Sequence, residues 1–398
     1  MSKLLITTME IHKVSCIVTA LWEEGRILQI HLYPKEKKDI LGNIYVGKVE
    51  NIAENIQAAF VRIQDQTICY LPLSDLAYPI YTVPKKDQKL HVGDELLVQI
   101  HREVIKHKAP CVTTKLSFTG KYLVLTTEKG KFGVSSKLDK ETRKRLKEWL
   151  IPESSDAYSM IVRTNAQDAS REELLEELNY LKTRMEYVLQ YGPSRVSGSL
   201  VEETAPGYLL DIRDIYHHDL EAIVTDSDLL YPVIKNYLHR YQPDDESLLQ
   251  LYEDKLLPLI KLYRLETSLD TACREKVWLP SGGSLIIQQT EAFVAIDVNT
   301  GKYNGKKKAE ETFRKINLEA AQEIACQIRL RNLSGMILID FINLSDPDHE
   351  KELLHVLQKY LKKDPVKANV IDMTALKIVE VTRKKVRKSL EEELQSLQ

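Results

Sequence analysis

The hydrophobic positions between residues 292 and 342 form the clearest repeating pattern in the chain. Two apolar runs each end in an acid, the first at Asp297 and the second at Asp340, and both runs are predicted to be strands. Between them, apolar residues recur at steps of three and four, the period of an amphipathic helix: Phe313, Ile316, Ala320, Ile324 and Ile328. The pattern therefore predicts a strand–helix–strand unit whose two strands lie side by side in one sheet.

Pairing of these strands would bring Asp297 and Asp340 to matching places near the strand ends. Two converging carboxylates with open sides suit a hydrated Mg²⁺ ion, which keeps several waters and takes one or two protein carboxylates. Asn299 follows the first acid by two residues and strengthens this interpretation. The alternative is that each Asp is a turn or capping residue at a strand end, and spacing alone leaves both interpretations open.

Closely spaced short strands dominate residues 41–117. Five such segments predict a small closed barrel of the OB kind, a fold whose face binds single-stranded nucleic acid. On that face we expect Phe60 and Tyr70 to offer surfaces for base stacking, although the pattern favours a core position for Phe60 and leaves Tyr70 undecided. Three basic residues of this region are expected to contact phosphates: Lys48, Lys106 and Lys108.

Residues 1–34 contain two or three strands, which are too few to enclose a core, so we expect later residues to complete their sheet. Residues 119–208 form a further mixed block, in which Arg163 and Thr164 directly follow a short strand. A guanidinium beside a hydroxyl at a strand end is suited to bind a phosphate, although two residues are a short signal.

Other elements are predicted along the chain: a basic helix over Lys140–Leu150, a capped helix after Ser170, a linker over Gly192–Gly207, strands at Tyr208–Ile212 and Glu221–Val224, helices at Tyr231–Tyr241, Leu256–Cys273 and Asp348–Lys362, and strands near Asn369–Met373 and Lys377–Val381. His217 and His218 beside Asp219 point in different directions on a helix and lack a third ligand, so a solvated face is favoured over a metal site. Basic residues near the end could follow a phosphate backbone or form a solvated helix end: Arg383, Lys384, Lys385, Arg387 and Lys388.

Composition is that of a soluble globular protein with several folded units, since the 398 residues are 43% hydrophobic and 29% charged. The net charge of −2 means that a polyanion would have to be held by local basic patches. No apolar run approaches the ~20 residues needed to span a bilayer, and the first residues do not form a signal peptide. Five cysteines without a C-x-x-C pair argue against a disulfide framework and a cysteine zinc site, and they indicate a reducing, cytoplasmic setting.

Three segments, taken in order, resemble the catalytic core of the ribonuclease E/G family: LPSGGSLIIQQTEAFVAIDVNTG, NLEAAQEIACQIRLRNLSGMILIDFINL and EVTRKKVRKSL. The resemblance extends back through NIYVGKVENI, KLSFTGKYLVL and MIVRT, and so covers nearly the whole chain. It implies a magnesium-dependent, single-strand-specific endoribonuclease of the short, ribonuclease G-like form. It also implies products with 5′-phosphate and 3′-hydroxyl ends, stimulation by a 5′-monophosphate, and roles in rRNA processing and mRNA decay.

The resemblance further implies an α+β multidomain fold. Its parts would be an RNase H-like subdomain made from residues 1–38 and 209–273, an inserted OB-fold RNA-binding domain at 39–118, a 5′-sensor domain at 119–208, and a DNase I-like α/β catalytic domain at 274–398. Position by position, Asp297 and Asp340 match the family's magnesium ligands, with Mn²⁺ as an alternative ion, and Asn299 matches a third catalytic residue. Arg163 and Thr164 match the pair that holds a 5′-monophosphate. Residues expected to contact RNA are Phe60, Tyr70, Lys108, Arg383 and Lys384.

The sequence departs from the family pattern at three places. The cysteine pair through which two chains share a zinc ion has no counterpart, so we expect no zinc and either a homodimer without a zinc link or a monomer. Ala375 stands where the family has an arginine, so a phosphate contact is lost unless Lys377 supplies it. The sensor turn at Ser135-Ser136-Lys137 is less basic than the family's serine–arginine–arginine turn. The alternative function is an RNA-binding protein of the same fold with weak or no catalysis.

Overall fold

The structure is a computed structural model and describes residues 2–37, 39–85, 87, 89–102, 109–215, 220–301 and 309–397. The chain divides into two compact units. The first unit combines Met1–Lys37 with Asp219–Gln398, and the second is Lys38–His218. The first unit is therefore discontinuous in sequence, with the second unit inserted into it.

Both units contain strands and helices. The described strands are β1 (Ser2–Ile11), β2 (Val14–Glu23), β3 (Arg26–Pro34), β4 (Ile44–Ala53), β5 (Ala58–Arg62), β6 (Ile68–Pro72), β7 (Glu95–Arg102), β8 (Cys111–Thr113), β9 (Ser117–Thr119), β10 (Leu123–Thr126), β11 (Phe132–Val134), β12 (Ser159–Val162), β13 (Leu200–Glu202), β14 (Leu220–Thr225), β15 (Leu249–Leu251), β16 (Lys276–Trp278), β17 (Ser284–Gln289), β18 (Val294–Asn299), β19 (Gly335–Asp340), β20 (Ala368–Met373) and β21 (Ile378–Arg383). The described α-helices are α1 (Lys140–Leu150), α2 (Arg171–Tyr191), α3 (Gly207–Asp214), α4 (Leu230–Tyr241), α5 (Leu259–Leu262), α6 (Leu265–Ala272), α7 (Ala309–Leu330), α8 (Pro347–Leu361) and α9 (Leu390–Gln395).

A six-stranded sheet in the first unit has the strand order β16-β17-β18-β19-β21-β20. Its central strands β18 and β19 are parallel, and their outer neighbours β17 and β21 run antiparallel to them. Alternate residues of β18 and β19, such as Ile296 and Ile339, are buried in one core with residues of α7 and α8. The residues between them therefore point to the other face of the sheet. This arrangement confirms the strand–helix–strand unit predicted over residues 292–342.

A five-stranded sheet, with the order β15-β14-β1-β2-β3, forms the rest of the first unit. β1 pairs antiparallel with β2 and parallel with β14, where Leu4 lies opposite Ile223. Later residues thus complete the sheet of the N-terminal strands, as expected. Its core also takes in Leu330 from the end of α7 and Leu390 and Leu394 from α9.

Five strands of the second unit close into a barrel, because β7 pairs both with β8 and with β4. Its core contains Val49, Val61, Cys69 and Val98. A Cβ at Gly47 would lie 2.4 Å from Cγ1 of Val61, so the barrel interior requires glycine there. The five predicted strands and their closure are consistent with an OB-fold.

The second unit also contains a four-stranded sheet of order β11-β12-β10-β9, which shares a core with α1 and α2. β11 and β12 are parallel, so their C-terminal ends lie at one edge of the sheet. α2 begins with the predicted capping box, in which Ser170 and Glu173 exchange side-chain and backbone hydrogen bonds.

Two predicted elements are wrong. Tyr208–Ile212 belongs to helix α3, which begins after Pro206 and buries Leu209 and Ile212. Five residues are too few for the hydrophobic period to distinguish helix from strand. The helix predicted over Leu256–Cys273 is two short helices, α5 and α6, because Arg264 between them adopts a left-handed φ of 52°.

The last described helix of the second unit is α3. α3 lies in the second unit, where the side-chain amide of Asn165 donates to the carbonyls of Arg213 and Ile215 at 3.2 and 2.9 Å. The described cysteines are all free. None of the helices that the structure describes has both the length and the apolar character needed to cross a bilayer.

Candidate active site and RNA-contact residues

Asp297 and Asp340 occupy equivalent places on adjacent parallel strands. Asp340, the last residue of β19, lies directly opposite Asp297 in the pairing with β18. Both side chains are exposed, whereas the neighbouring Ile296 and Ile339 are buried. Because paired strands are about 4.8 Å apart, the two carboxylates share one patch of the open face. The strand register thus brings together the pair of acids that the sequence pattern predicted.

Asn299 joins this pair from the same face of β18. Its side-chain nitrogen donates a hydrogen bond of 2.7 Å to Oδ2 of Asp297. A carboxylate can only accept, so this contact fixes which way the amide of Asn299 points. The bond restrains the Asp297 carboxylate, and Asn299 itself stays exposed at the site.

The donor set fits a hydrated magnesium ion. Mg²⁺ prefers oxygen ligands and usually binds through one or two carboxylates with several retained waters, and Asp297 and Asp340 supply two carboxylates on one water-exposed face. Among the described residues, no three His, Cys, Asp or Glu side chains converge on one point. Asp297 and Asp340 would hold an ion whose remaining positions go to water or to a substrate oxygen.

Helix α7 fixes the backbone just beyond Asp340 through Asn317, whose side chain is fully buried. The Asn317 amide donates to the carbonyl of Ile342 at 2.7 Å and accepts from the N–H of the same residue at 3.1 Å. β19 ends at Asp340, so Asn317 satisfies backbone groups that lie past the end of the strand. The course of the chain at Asp340 therefore depends on one buried side chain of α7.

The same helix approaches the strand that carries Asn299. A Cβ at Gly283 would lie 3.0 Å from the carbonyl oxygen of Asn299 and 3.1 Å from Cγ2 of Ile316, so this position favours glycine. In the same turn, the N–H of Ser281 donates to the carboxylate of Glu319, at 3.2 and 3.3 Å from its two oxygens. α7 thus contacts both the backbone beyond Asp340 and the turn at residues 281–283 beside Asn299.

Phe60 and Tyr70 lie opposite each other on β5 and β6 of the barrel. Their rings meet edge to face, with centroids 6.1 Å apart. Both side chains are half-buried and neither belongs to the barrel core. The sequence pattern's preference for a core position at Phe60 is therefore wrong, because the strand turns this residue to the outer face. Lys106 and Lys108 lie outside the described residues.

Arg163 and Thr164 follow β12, at the edge where β11 also ends. The Arg163 guanidinium donates to the carbonyl of Gly120 at 2.6 Å and to Asp214 at 2.7 Å. The Thr164 hydroxyl lies 2.9 Å from that of Ser135, the first residue after β11. Both predicted phosphate ligands are half-buried and ordered by neighbours from separate parts of the second unit.

Asp214 holds Arg163 in place electrostatically. Burial acts to raise the pKa of the Asp214 carboxyl, but the charges of Arg163 and Arg213 outweigh it, so that the pKa lies below its ordinary value. Asp214 therefore remains ionised and keeps Arg163 paired at neutral pH.

Glu177 supports the same region from within. Its carboxylate accepts hydrogen bonds from the backbone N–H groups of residues 121, 122 and 123 at 2.5, 2.8 and 2.7 Å. Burial nevertheless raises the pKa of Glu177 above its ordinary value. A Cβ at Gly120 would lie 2.4 Å from the carboxyl carbon of Glu177, so a larger residue there would displace the carboxylate that holds this backbone.

Arg383 does not occupy the place predicted for an RNA contact. Its side chain is buried, and its guanidinium donates to Asp364 at 2.8 Å and to Asn332 at 2.6 Å. The pattern of consecutive basic residues concealed this, because β21 continues as far as Arg383 and turns that side chain inward. Lys384 is exposed, as an RNA contact requires.

Lys377 lies at the end of the sheet that carries Asp340, because Ile378, the next residue, pairs with Asp340. The Lys377 ammonium donates to Glu350 at 2.7 Å. Lys377 therefore places a cation near the substituted Ala375, although that cation is already paired with an acid.

Sequence reasoning missed Asn317, Glu177 and Asp214. A signal existed for Asn317, since it is a polar residue next to Ile316 on the apolar stripe of α7, where a buried amide needs hydrogen-bond partners. For Asp214, the partner Arg163 is 51 residues away, and nothing in the local pattern connects the two.

Comparisons with known proteins show the family of the chain. The model of the ribonuclease E/G family matches residues 117–386, more than half of the chain. Ribonuclease G of Haemophilus influenzae is 34% identical over 385 residues, covering 94% of this chain and 78% of that protein. Ribonuclease G of Escherichia coli K12 is 34% identical, covering 92% and 78%. Ribonuclease E of E. coli K12 is 30% identical, covering 94% of this chain and 36% of that protein. The chain belongs to the ribonuclease E/G family.

Proposed function

We propose that this protein is a magnesium-dependent, single-strand-specific endoribonuclease whose active site is formed by Asp297, Asn299 and Asp340. Its place in the ribonuclease E/G family makes it an endoribonuclease. The observation that carries the assignment of the site is the register of β18 and β19, which sets Asp297 opposite Asp340. Mn²⁺ is an alternative ion, and we propose no role for zinc.

The three residues divide the work at the scissile phosphate. Asp297 and Asp340 would hold the ion, which when bound activates a water and offsets charge on the phosphate. Asn299 restrains the Asp297 carboxylate through its 2.7 Å hydrogen bond, so that one acid is preorganised before the ion arrives. Attack of this water on the phosphorus, with loss of the 3′ oxygen, leaves a 5′-phosphate and a 3′-hydroxyl.

The second unit would bind the RNA strand. The half-buried rings of Phe60 and Tyr70 lie on neighbouring strands outside the barrel core, where unpaired bases can stack on them with about 1–3 kcal/mol per base. Bases within a duplex cannot stack in this way. This supports a preference for single strands, and Lys108 and Lys384 would add contacts to phosphates.

Arg163 and Thr164 would recognise a 5′-monophosphate. A guanidinium held by Asp214 and Gly120, beside a hydroxyl at the ends of two parallel strands, presents a charge and a donor to a terminal phosphate. RNA with a 5′-monophosphate would thus be cleaved faster than RNA with a 5′-hydroxyl. We place this activity in rRNA processing and mRNA decay in the cytoplasm, carried out by a monomer or by a homodimer without a zinc link.

Replacing Asp297 with Asn tests the active site. Asp297→Asn keeps the size of the side chain but removes the charge that would hold the ion, so cleavage of a 5′-monophosphorylated single-stranded RNA in Mg²⁺ should fall by at least about a hundredfold. RNA binding measured in chelator should be unchanged. Asp348→Asn, at an exposed acid on α8, is the matched control and should cleave as the wild type does. Undiminished cleavage by Asp297→Asn would sink the proposal.

The alternative of an RNA-binding protein with weak catalysis makes the opposite prediction for the wild type. Its support is the pairing of Lys377 with Glu350 at the end of the sheet that carries Asp340, which engages a cation near the acids. It would require tight RNA binding without magnesium-dependent cleavage, whatever the 5′ end of the RNA.

A further inference from the structure

Helix α1 carries a stripe of cations on one face. Lys140, Arg143, Lys144 and Lys147 recur at steps of three and four and therefore share one side of the helix. Together with Ile151 and Pro152 they line an open groove of about 470 Å³, which we call the α1 basic groove. Residues 140–147 contain five cations and one acid, in a chain whose net charge is −2. The groove is thus a local concentration of positive charge.

The charges of the groove are available to a ligand. Lys140, Lys144 and Lys147 are exposed. The acid that lines the groove, Glu148, lies 3.9 Å from Lys144 in a pair whose side chains are 81% and 63% exposed. Such exposed pairs contribute little and exchange readily with other partners. An incoming anion therefore meets lysines that it can reach without breaking a buried ion pair.

The apolar face of α1 shows which kind of anion fits. Leu146 and Leu150 are completely buried in the core of the second unit. An amphipathic helix binds a bilayer by inserting its apolar face, and here that face is already used by the protein core. Beside its four cations, the groove has only two apolar residues, Ile151 and Pro152, which are too few to insert into a bilayer as a helix face does. This favours a flexible chain of phosphates over a membrane.

The groove lies on an element that adjoins the Arg163–Thr164 site. The guanidinium of Arg145, on α1, donates to the carbonyl of Gln167, the last residue of the 3₁₀ turn that Thr164 begins. Ser135, which bonds to the Thr164 hydroxyl, precedes α1 by five residues. Arg145 lies about 100° around the helix from Lys144, so this contact joins α1 to the turn after Thr164 while the groove faces another direction. RNA whose 5′ end is held at Arg163 and Thr164 would reach the groove by passing along α1.

We propose that the α1 basic groove binds the phosphate backbone of single-stranded RNA next to the 5′-end site. The identification of the ligand as RNA rests on the proposed function. The binding is independent of sequence, because lysines contact phosphates as point charges and read no base edge. Each phosphate neutralised on a single strand lowers the slope of log K against log salt by about 0.7, which gives the groove a measurable signature.

The test compares two triple variants that remove the same charge. Lys140→Gln, Lys144→Gln and Lys147→Gln together neutralise the groove. Lys359→Gln, Lys362→Gln and Lys363→Gln together neutralise three exposed lysines at the end of α8, in the first unit. The affinity of each protein for a 5′-monophosphorylated single-stranded RNA is measured by fluorescence anisotropy, in chelator, from 50 to 300 mM salt. The salt slope of the groove variant should be flatter than that of the wild type by about 2, from three lost contacts, while the α8 variant keeps the wild-type slope.

Equal slopes in the groove variant and the wild type would overturn the proposal, and so would an equal change in both variants. Vesicles containing phosphatidylserine provide a second measurement. If the groove variant loses binding to vesicles but keeps its RNA slope, the groove binds membranes and the proposal is wrong. Cleavage by Asp297→Asn is independent of these slopes. If the groove variant keeps the wild-type slope and Asp297→Asn does not cleave, the groove proposal is wrong and the proposed function stands. If Asp297→Asn cleaves RNA, the proposed function is wrong whatever the slopes are.

Discussion

The guanidinium of Arg383 lies inside the first unit and forms an ion pair with Asp364, with both side chains only 3% exposed. Arg383→Ala would leave the Asp364 carboxylate buried without its partner, which costs about 3–5 kcal/mol of unfolding free energy. Chemical denaturation measures this loss. Lys384→Ala, at the exposed next residue, is the control and should change stability by less than about 0.5 kcal/mol. If the two variants have equal free energies of unfolding, the ion pair between Arg383 and Asp364 does not stabilise the fold, and the inward position of Arg383 is contradicted.

Arg163, the proposed ligand of a 5′-monophosphate, is held by Asp214 and Gly120. Arg163→Ala removes the guanidinium that Asp214 and Gly120 hold, and should therefore reduce the ratio of cleavage rates between 5′-monophosphorylated and 5′-hydroxyl RNA. The ratio is measured on two RNAs that differ only at the 5′ end. Arg184 forms a comparable half-buried pair with Glu202 at 2.8 Å in the same unit. Arg184→Ala should keep the ratio, and an unchanged ratio in Arg163→Ala would give Arg163 a purely structural role.

Single site residues could be predicted where a charged residue came at the end of a predicted strand. Asp297, Asp340 and Arg163 each stand at or beside the end of a short apolar run. The structure places the two acids exposed on β18 and β19, and Arg163 half-buried directly after β12. Their partners were not predictable, because Asp214 and Asn317 reach these groups through the fold. Arg383 was predicted wrongly for the same reason, since a run of basic residues does not show that the first of them ends a strand and points inward.

Among the elements, α7 is the one on which the proposed active site depends most directly. Asn317→Asp replaces a donor to the Ile342 carbonyl with a carboxylate oxygen, which cannot donate and repels the carbonyl. The backbone beyond Asp340 should then shift, and the Mg²⁺ concentration for half-maximal cleavage should rise about ten- to a hundredfold, as for other groups that orient metal ligands. Mn²⁺ binding followed by electron paramagnetic resonance, without RNA, provides a readout that does not involve cleavage.

The matched control is a second buried asparagine beside the same strand. Asn332 is 8% exposed, donates to the carbonyl of Lys388 at 2.6 Å, and precedes the start of β19, at the end away from Asp340. Asn332→Asp should lower stability but leave the metal requirement unchanged. If both variants raise the Mg²⁺ requirement equally, Asn317 supports the fold in general and does not orient Asp340.

Long elements were predictable and short ones were not. The 22 residues of α7 give the helical period several turns in which to repeat, whereas α3 has eight residues and was predicted to be a strand. The break between α5 and α6 depends on the left-handed backbone of Arg264, a conformation that the residue type does not require. Turns and breaks of this kind are set by packing, which a hydrophobic pattern does not record.

For the whole molecule, the sequence indicated several folded units, and its short N-terminal strands indicated that distant residues would complete them. The structure confirms a discontinuous first unit and a barrel in the inserted second unit. The division after residue 218 could not be derived from composition, since α3 follows a segment that looks like a linker and is joined to the second unit by the hydrogen bonds of Asn165. The names RNase H-like, 5′-sensor and DNase I-like remain predictions from the resemblance.

The parallel pairing of β1 with β14 has a consequence for synthesis on the ribosome. Thr7 and its hydrogen-bond partner Asp226 are separated by 219 residues, so at about 5–20 residues per second the edge of β1 waits about 10 to 40 s for its neighbour. During that interval the inserted unit can fold by itself, while β1 to β3 present an unpaired edge that invites association between nascent chains. The order of translation thus makes the inserted unit fold first, and the sheet that surrounds it in sequence is completed last.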